Sequence, residues 1–80
     1  METRDLVKNY LIYDRPFSAV EIANKIYPEH AGINRDGKPY NFCSAAVMAC
    51  LRNIQNVKEK PLGTFHVVRA FREVREKELL

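Results

Sequence analysis

Apolar residues recur at intervals of three and four in several parts of this chain, and the stretch around which the rest is organised is Asn41 to Asn56, NFCSAAVMACLRNIQN. At about 100° per residue, Cys43, Val47, Cys50, Leu51 and Ile54 fall on one stripe, which predicts a helix with that stripe turned to a core. Asn41 is expected to cap it, its side-chain oxygen accepting an N–H of the first turn. Pro39 cannot lie deeper in a helix and so limits where this one starts. The opposite side collects Asn41, Phe42, Ala45, Met48, Ala49 and Arg52, mostly small or apolar with a single charge.

Two shorter helices are expected upstream. Thr3 to Tyr13 has a capping threonine, Asp5 in the first turn, and Leu6, Val7, Tyr10 and Leu11 at helical spacing. Arg15-Pro16 stops it. Ser18-Ala19-Val20-Glu21 then shows the S-x-x-E capping box, in which Ser18 accepts from the N–H of Glu21 while Glu21 reaches back to the N–H of Ser18. Phe17 and Ile22 stand at the positions of a hydrophobic staple. This helix is expected to reach Ile26 or Tyr27, with Ile22, Ala23 and Ile26 inward beside Val20 or Tyr27, and Pro28 ends it.

Pro28 to Pro39, PEHAGINRDGKP, carries two prolines, Gly32, Gly37 and an Asp-Gly pair, and reads as a long loop with Ile33 tucked into the core. Loops of this length are uncommon in small domains and are often functional. Beyond the organising helix, Val57 to Lys60 and Phe65 to Ala70 flank Pro61-Leu62-Gly63-Thr64. Their aromatic and β-branched content predicts a β-hairpin. Phe65, Val68 and Phe71 also satisfy helical spacing, so a helix from Thr64 competes. Phe71 to Leu80 is expected to be a final helix, with Glu73 before Lys77 at i, i+4. Its Phe71, Val74 and Leu79 are candidates for dimerisation.

Composition bounds this picture without changing it. Eighty residues make one domain, 1–80, because a second could not bury enough surface to offset its chain entropy. With 46% hydrophobic and 29% charged residues the chain has the composition of a globular protein. No apolar run approaches the roughly 18 residues of a membrane span, and METRDLVKN lacks a signal-peptide core, so an intracellular, cytoplasmic protein is expected. Charge is more informative in its distribution than in its total of +3. Basic and acidic residues cancel over residues 1–40. From Asn41 to Arg72, Arg52, Lys58, Lys60, Arg69 and Arg72 face Glu59 alone. That asymmetry suggests an anionic partner, and a solvated basic surface is the alternative.

Candidate chemistry is sparse. Cys43 and Cys50 are seven apart on one predicted helix, roughly 10.5 Å along its axis, beyond the roughly 7 Å that a disulfide spans. Their spacing does not match zinc ligation, and His30 and His66 are far apart in sequence. Both thiols are expected to be small buried hydrophobes. No phosphate-binding glycine loop, zincin motif or nucleophile elbow occurs. No enzyme, metal or cofactor is expected.

The order of helix, extended piece, capped helix, connection, apolar-faced helix, hairpin and helix resembles the winged helix-turn-helix family of nucleic-acid-binding domains over nearly the whole chain. The resemblance rests on RPFSAVEIANKI from Arg15 to Ile26, NFCSAAVMACLR from Asn41 to Arg52 and VKEKPLGTFHVV from Val57 to Val68. It implies an α+β winged helix: a three-helix core with a C-terminal β-hairpin wing and a final α-helix. It further implies a small transcriptional regulator that binds double-stranded DNA, with the third helix in the major groove and the wing on the backbone. Base edges supply sequence information, and phosphates supply affinity through counterion release. By matching position, Asn41, Ser44, Ala45, Met48 and Arg52 become candidate base contacts. Lys58, Lys60 and His66 of the wing, with Arg35 and Lys38 of the loop, become candidate phosphate contacts. Two features depart from the pattern. About a dozen residues separate the second and third helices where a compact helix-turn-helix has three or four, a length that the forkhead branch tolerates. The third helix is also poor in charge. Its Ala45, Met48, Ala49 and Phe42 surface equally suits a protein-contact module, the alternative reading, or a helix buried all round.

Overall fold

The computed structural model describes residues 2–60 and 63–68, which form a small α+β domain with three helices and antiparallel sheets. Helix α1 is Thr3–Asn9, strand β1 is Phe17–Ser18 and helix α2 is Ala19–Ile26. A single 3-10 turn, Pro28–His30, leads to strands β2 (Ala31–Ile33) and β3 (Pro39–Asn41). Helix α3 is Ser44–Asn53, and strands β4 (Val57–Lys60) and β5 (Thr64–Val67) follow. The predicted final helix, with Phe71, Val74 and Leu79, lies outside the described residues.

Helix α1 is shorter than its periodicity suggests. It closes where the N–H of Tyr10 donates to the carbonyl of Val7 at 3.1 Å, and Leu11, Ile12 and Tyr13 leave it to pack on the core. Thr3 does not cap it. Glu2 holds the cap position without a side-chain bond, and the Thr3 hydroxyl is hydrogen-bonded to that of Tyr27 at 2.9 Å.

Helix α2 begins as half a capping box. Ser18 Oγ accepts from the Glu21 N–H at 3.2 Å, but the Glu21 carboxylate is held by Arg15 instead of turning back to Ser18. Those hydrogen bonds, with the charge of Arg15, hold the Glu21 carboxyl below its usual range. Ile22 and Ala23 face inward as expected, and Ala19 joins them.

The core lies where α1, α2 and α3 meet the inner face of a three-stranded sheet of order β1-β5-β4. Phe17 pairs with Phe65 across β1 and β5, their rings stacked at 6.4 Å, a favourable offset arrangement. Val7, Ile22, Val47, Leu51 and Phe65 are fully buried around them. The hairpin predicted after α3 thus forms as strands, and its edge is extended by the short piece between α1 and α2.

Two expectations are corrected between α2 and α3. Pro28 to Pro39 is not an irregular loop, since most of it belongs to a second antiparallel hairpin in which Ala31 pairs with Asn41, Gly32 with Tyr40 and Ile33 with Pro39. Its turn is built by Asn34, whose side-chain oxygen accepts from the N–H groups of Asp36 and Lys38 at 2.9 and 3.0 Å. Gly37 takes a φ of +75°, a left-handed conformation that disfavours residues with a Cβ. Every residue from Ala31 to Tyr40 is exposed, so Ile33, 70% exposed, does not tuck into the core.

Asn41, in turn, does not cap α3. Pairing with Ala31 keeps it extended, and the helix begins at Ser44 with Cys43 at its cap. The helix also ends earlier than predicted, at Asn53. Asn56, at φ +69°, is followed directly by β4 and accepts from the Val68 N–H at 2.7 Å.

Candidate nucleic-acid interface

Helix α3 presents two faces. Val47 and Leu51 are fully buried, and Ile54 just beyond its end is nearly so. Cys43 and Cys50, expected to be buried, are only half-buried free thiols. On the other side Ala45, Ala49 and Arg52 are exposed, while Ser44 and Met48 are half-buried. Met48 packs on the core cluster, and its Cε lies 3.8 Å from where a Cβ on Gly63 would stand, so it joins α3 to the far end of the β4–β5 hairpin.

Asn41 leaves the set of candidate base contacts. It is fully buried, its Oδ1 accepting from the Cys43 N–H at 2.8 Å while its Nδ2 donates to Asn24 Oδ1 at 2.8 Å and to the Tyr27 carbonyl at 3.1 Å. Its polar atoms are committed to joining α2, β3 and the start of α3.

Arg52 is exposed but not unpartnered. Its Nε donates to Glu59 Oε1 at 2.8 Å and its Nη2 to Oε2 at 3.1 Å, a two-point contact between α3 and β4. These hydrogen bonds, aided by the charge of Arg52, hold the Glu59 carboxyl below its usual range. Glu59 played no part in the residues singled out from sequence. The signal that could have found it is its being the one acid among the basic residues from Asn41 to Arg72.

The candidate phosphate contacts fall in two places. Lys58 pairs with His66 and Lys60 with Thr64, so alternation puts all four on the sheet face opposite Phe65. Both lysines are exposed. His66 is half-buried, and its Nδ1 is enclosed without a hydrogen-bond partner among the described residues, which withdraws that nitrogen from a phosphate. Arg35 and Lys38 stand at the β2–β3 turn, also exposed. None of these four cations is in an ion pair among the described residues.

Two further features were not singled out from sequence. Arg4 and Lys8, one turn apart on α1, line a cleft of about 280 Å³ with Tyr13, Ile54, Gln55 and Asn56. Around the second hairpin the rings of Tyr27, His30 and Phe42 follow one another at 6.2 and 6.0 Å. Phe42 is 74% and Tyr40 45% exposed there. Among the described residues no group of three or more His, Cys, Asp or Glu is placed to hold a metal ion, and no helix is long and apolar enough to cross a membrane. Comparison with protein-family models, curated proteins and solved structures returns no match.

Proposed function

We propose that this chain is a winged-helix domain that binds double-stranded DNA, as a small transcriptional regulator, with α3 in the major groove and the β4–β5 hairpin on the phosphate backbone. The observation that carries the reading is the connection of the elements. A strand between the first two helices pairs with the last strand of a hairpin that follows the third, in the order β1-β5-β4. This arrangement supports a helix presented beside a two-stranded wing. Ser44, Ala45, Met48 and Arg52 are the groove residues in this reading, and Ala45 and Met48 suit a thymine methyl. Lys58 and Lys60 of the β4–β5 hairpin and Arg35 and Lys38 of the β2–β3 turn supply the cations in this reading. A homodimer through Phe71, Val74 and Leu79 belongs to the same reading. Sedimentation of the full chain and of one ending at Arg72 tests it, equal monomer masses removing it.

Gel retardation with random duplexes at two salt concentrations tests the main claim. Retardation at low salt that weakens at higher salt is expected, because counterion release makes phosphate binding salt-dependent. Free duplex at low salt sinks the reading.

One observation favours the alternative of a protein-interaction module. Phe42 and Ile33 are each at least 70% exposed, and Ala45 and Ala49 are exposed and uncharged on α3; exposed apolar surface marks interaction sites. Phe42→Ser separates the two, since it removes apolar surface without changing charge. Loss of a captured protein with duplex affinity intact favours the module; loss of neither leaves DNA binding.

A further inference from the structure

Glu59 is the one carboxylate between Asn41 and Val68, and it is bound to the one cation of α3. Strand alternation brings it there. Val57 pairs with Val67 and Glu59 with Phe65, so these residues share the sheet face that holds the core, while Lys58 and Lys60 point the other way. Of the three charged residues of β4, the acid is the one on the face turned toward α3.

The edge of Arg52 that Glu59 occupies matters. A guanidinium has five N–H donors in a planar fork, one on Nε and two on each Nη. Glu59 accepts from Nε and from Nη2, which is the side of the fork. Both donors of Nη1 and the second donor of Nη2 remain, and one from each nitrogen forms the end of the fork. Guanine displays O6 and N7 side by side in the major groove, an acceptor pair that matches two such donors.

We propose that Glu59 is a positioning residue: it grips the side edge of Arg52 and holds the end edge ready for the O6 and N7 acceptors of a guanine. This rests on the DNA reading above and adds which base is read and what orients the reader. Two consequences follow from charge and from order. The Glu59 carboxylate repels neighbouring phosphates and so lowers affinity for duplexes in general. By restricting a long side chain to one orientation it raises discrimination at a single G·C pair.

The experiment selects a preferred duplex for the wild-type chain from a randomised pool. Fluorescence anisotropy then compares that duplex with versions in which each G·C pair is replaced in turn. Replacing one particular pair is expected to weaken wild-type binding roughly tenfold or more. Arg52→Ala and Arg52→Lys both lose that discrimination, the lysine having no fork. Glu59→Gln loses about threefold or more of it, while its affinity for random duplex stays level or rises. Adding Glu59→Gln to Arg52→Ala changes discrimination no further. Both side chains are exposed at 55% and 32%, so thermal melts of the variants should match the wild type. Discrimination left intact in Glu59→Gln overturns the proposal, and a rise in random affinity alone would assign Glu59 to masking the cation. An equal loss in both backgrounds overturns it as well. Absence of duplex binding by the wild-type chain sinks the DNA reading itself, an outcome separate from the others, in which the wild type binds.

Discussion

Asn41 shows how one side chain joins distant pieces of chain. It is the one polar residue in the buried set among the described residues, and it donates to α2 and to the Tyr27 carbonyl while accepting from the N–H that precedes α3. Asn41→Ala leaves those half-buried groups without partners and is expected to destabilise the domain by about 1–3 kcal/mol, read as a lower urea midpoint with unchanged slope. From the sequence its chemistry was legible, an amide oxygen accepting an N–H near a helix start. Its place was not, because the strand pairing with Ala31 that keeps it extended is non-local. Arg52 differs in the same way. Its exposure followed from helical periodicity, whereas its attachment to Glu59 depends on how β4 lies against α3. Since hydrogen bonds from Arg52 favour ionised Glu59, the folded value lies below the unfolded one. The small stabilisation that this solvent-screened pair contributes is therefore complete above the ordinary glutamate range and is lost as pH falls through the depressed value. An NMR titration should find the Glu59 midpoint lower in the wild type than in Arg52→Ala; equal midpoints would mean that the pair does not form in solution.

At the scale of elements, each hairpin has a left-handed glycine near the start of its second strand, Gly63 at φ +71° before β5 and Gly37 at φ +75° before β3, a conformation that favours glycine. An added Cβ at Gly37 meets nothing within 4 Å, so Gly37→Ala carries the conformational penalty alone, about 1 kcal/mol. Faster hydrogen exchange at the N–H groups of Asn34 and Lys38 would report it. The β4–β5 hairpin was legible because Phe65, Val67 and Val68 are strong strand formers. The β2–β3 hairpin was not, since Ala-Gly-Ile and Pro-Tyr-Asn are short and their strands stand off the core. The Asp36-Gly37 turn signal is present, but by itself it does not distinguish a hairpin from an irregular loop. In the DNA reading, Lys58→Ala and Lys60→Ala weaken binding to all sequences alike, and each lowers the magnitude of the salt slope by about 0.9.

For the whole molecule, the division of labour follows from where charge and small side chains lie. Helix α3 offers a shallow, uncharged face with Arg52 held at its end. Among the described residues, four of the cations outside ion pairs stand on the two hairpins, Lys58 and Lys60 on one and Arg35 and Lys38 on the other, and Arg4, Lys8 and Lys25 stand on α1 and α2. In the proposed DNA reading, affinity comes from the hairpins and the helix supplies fit. In the same reading the β2–β3 hairpin, within the seventeen residues between α2 and α3, is a second outrigger with the self-contained turn that Asn34 and Gly37 build. The most direct measurement is the salt dependence of binding to a random duplex, by anisotropy between 50 and 200 mM salt, conditions set by the general behaviour of phosphate contacts. Four hairpin cations predict a slope of log affinity against log salt of roughly −3.5, reduced in magnitude by about 2 in the Arg35→Ala/Lys38→Ala double variant. No binding at the lowest salt, or a slope that the double variant leaves unchanged, would contradict the account.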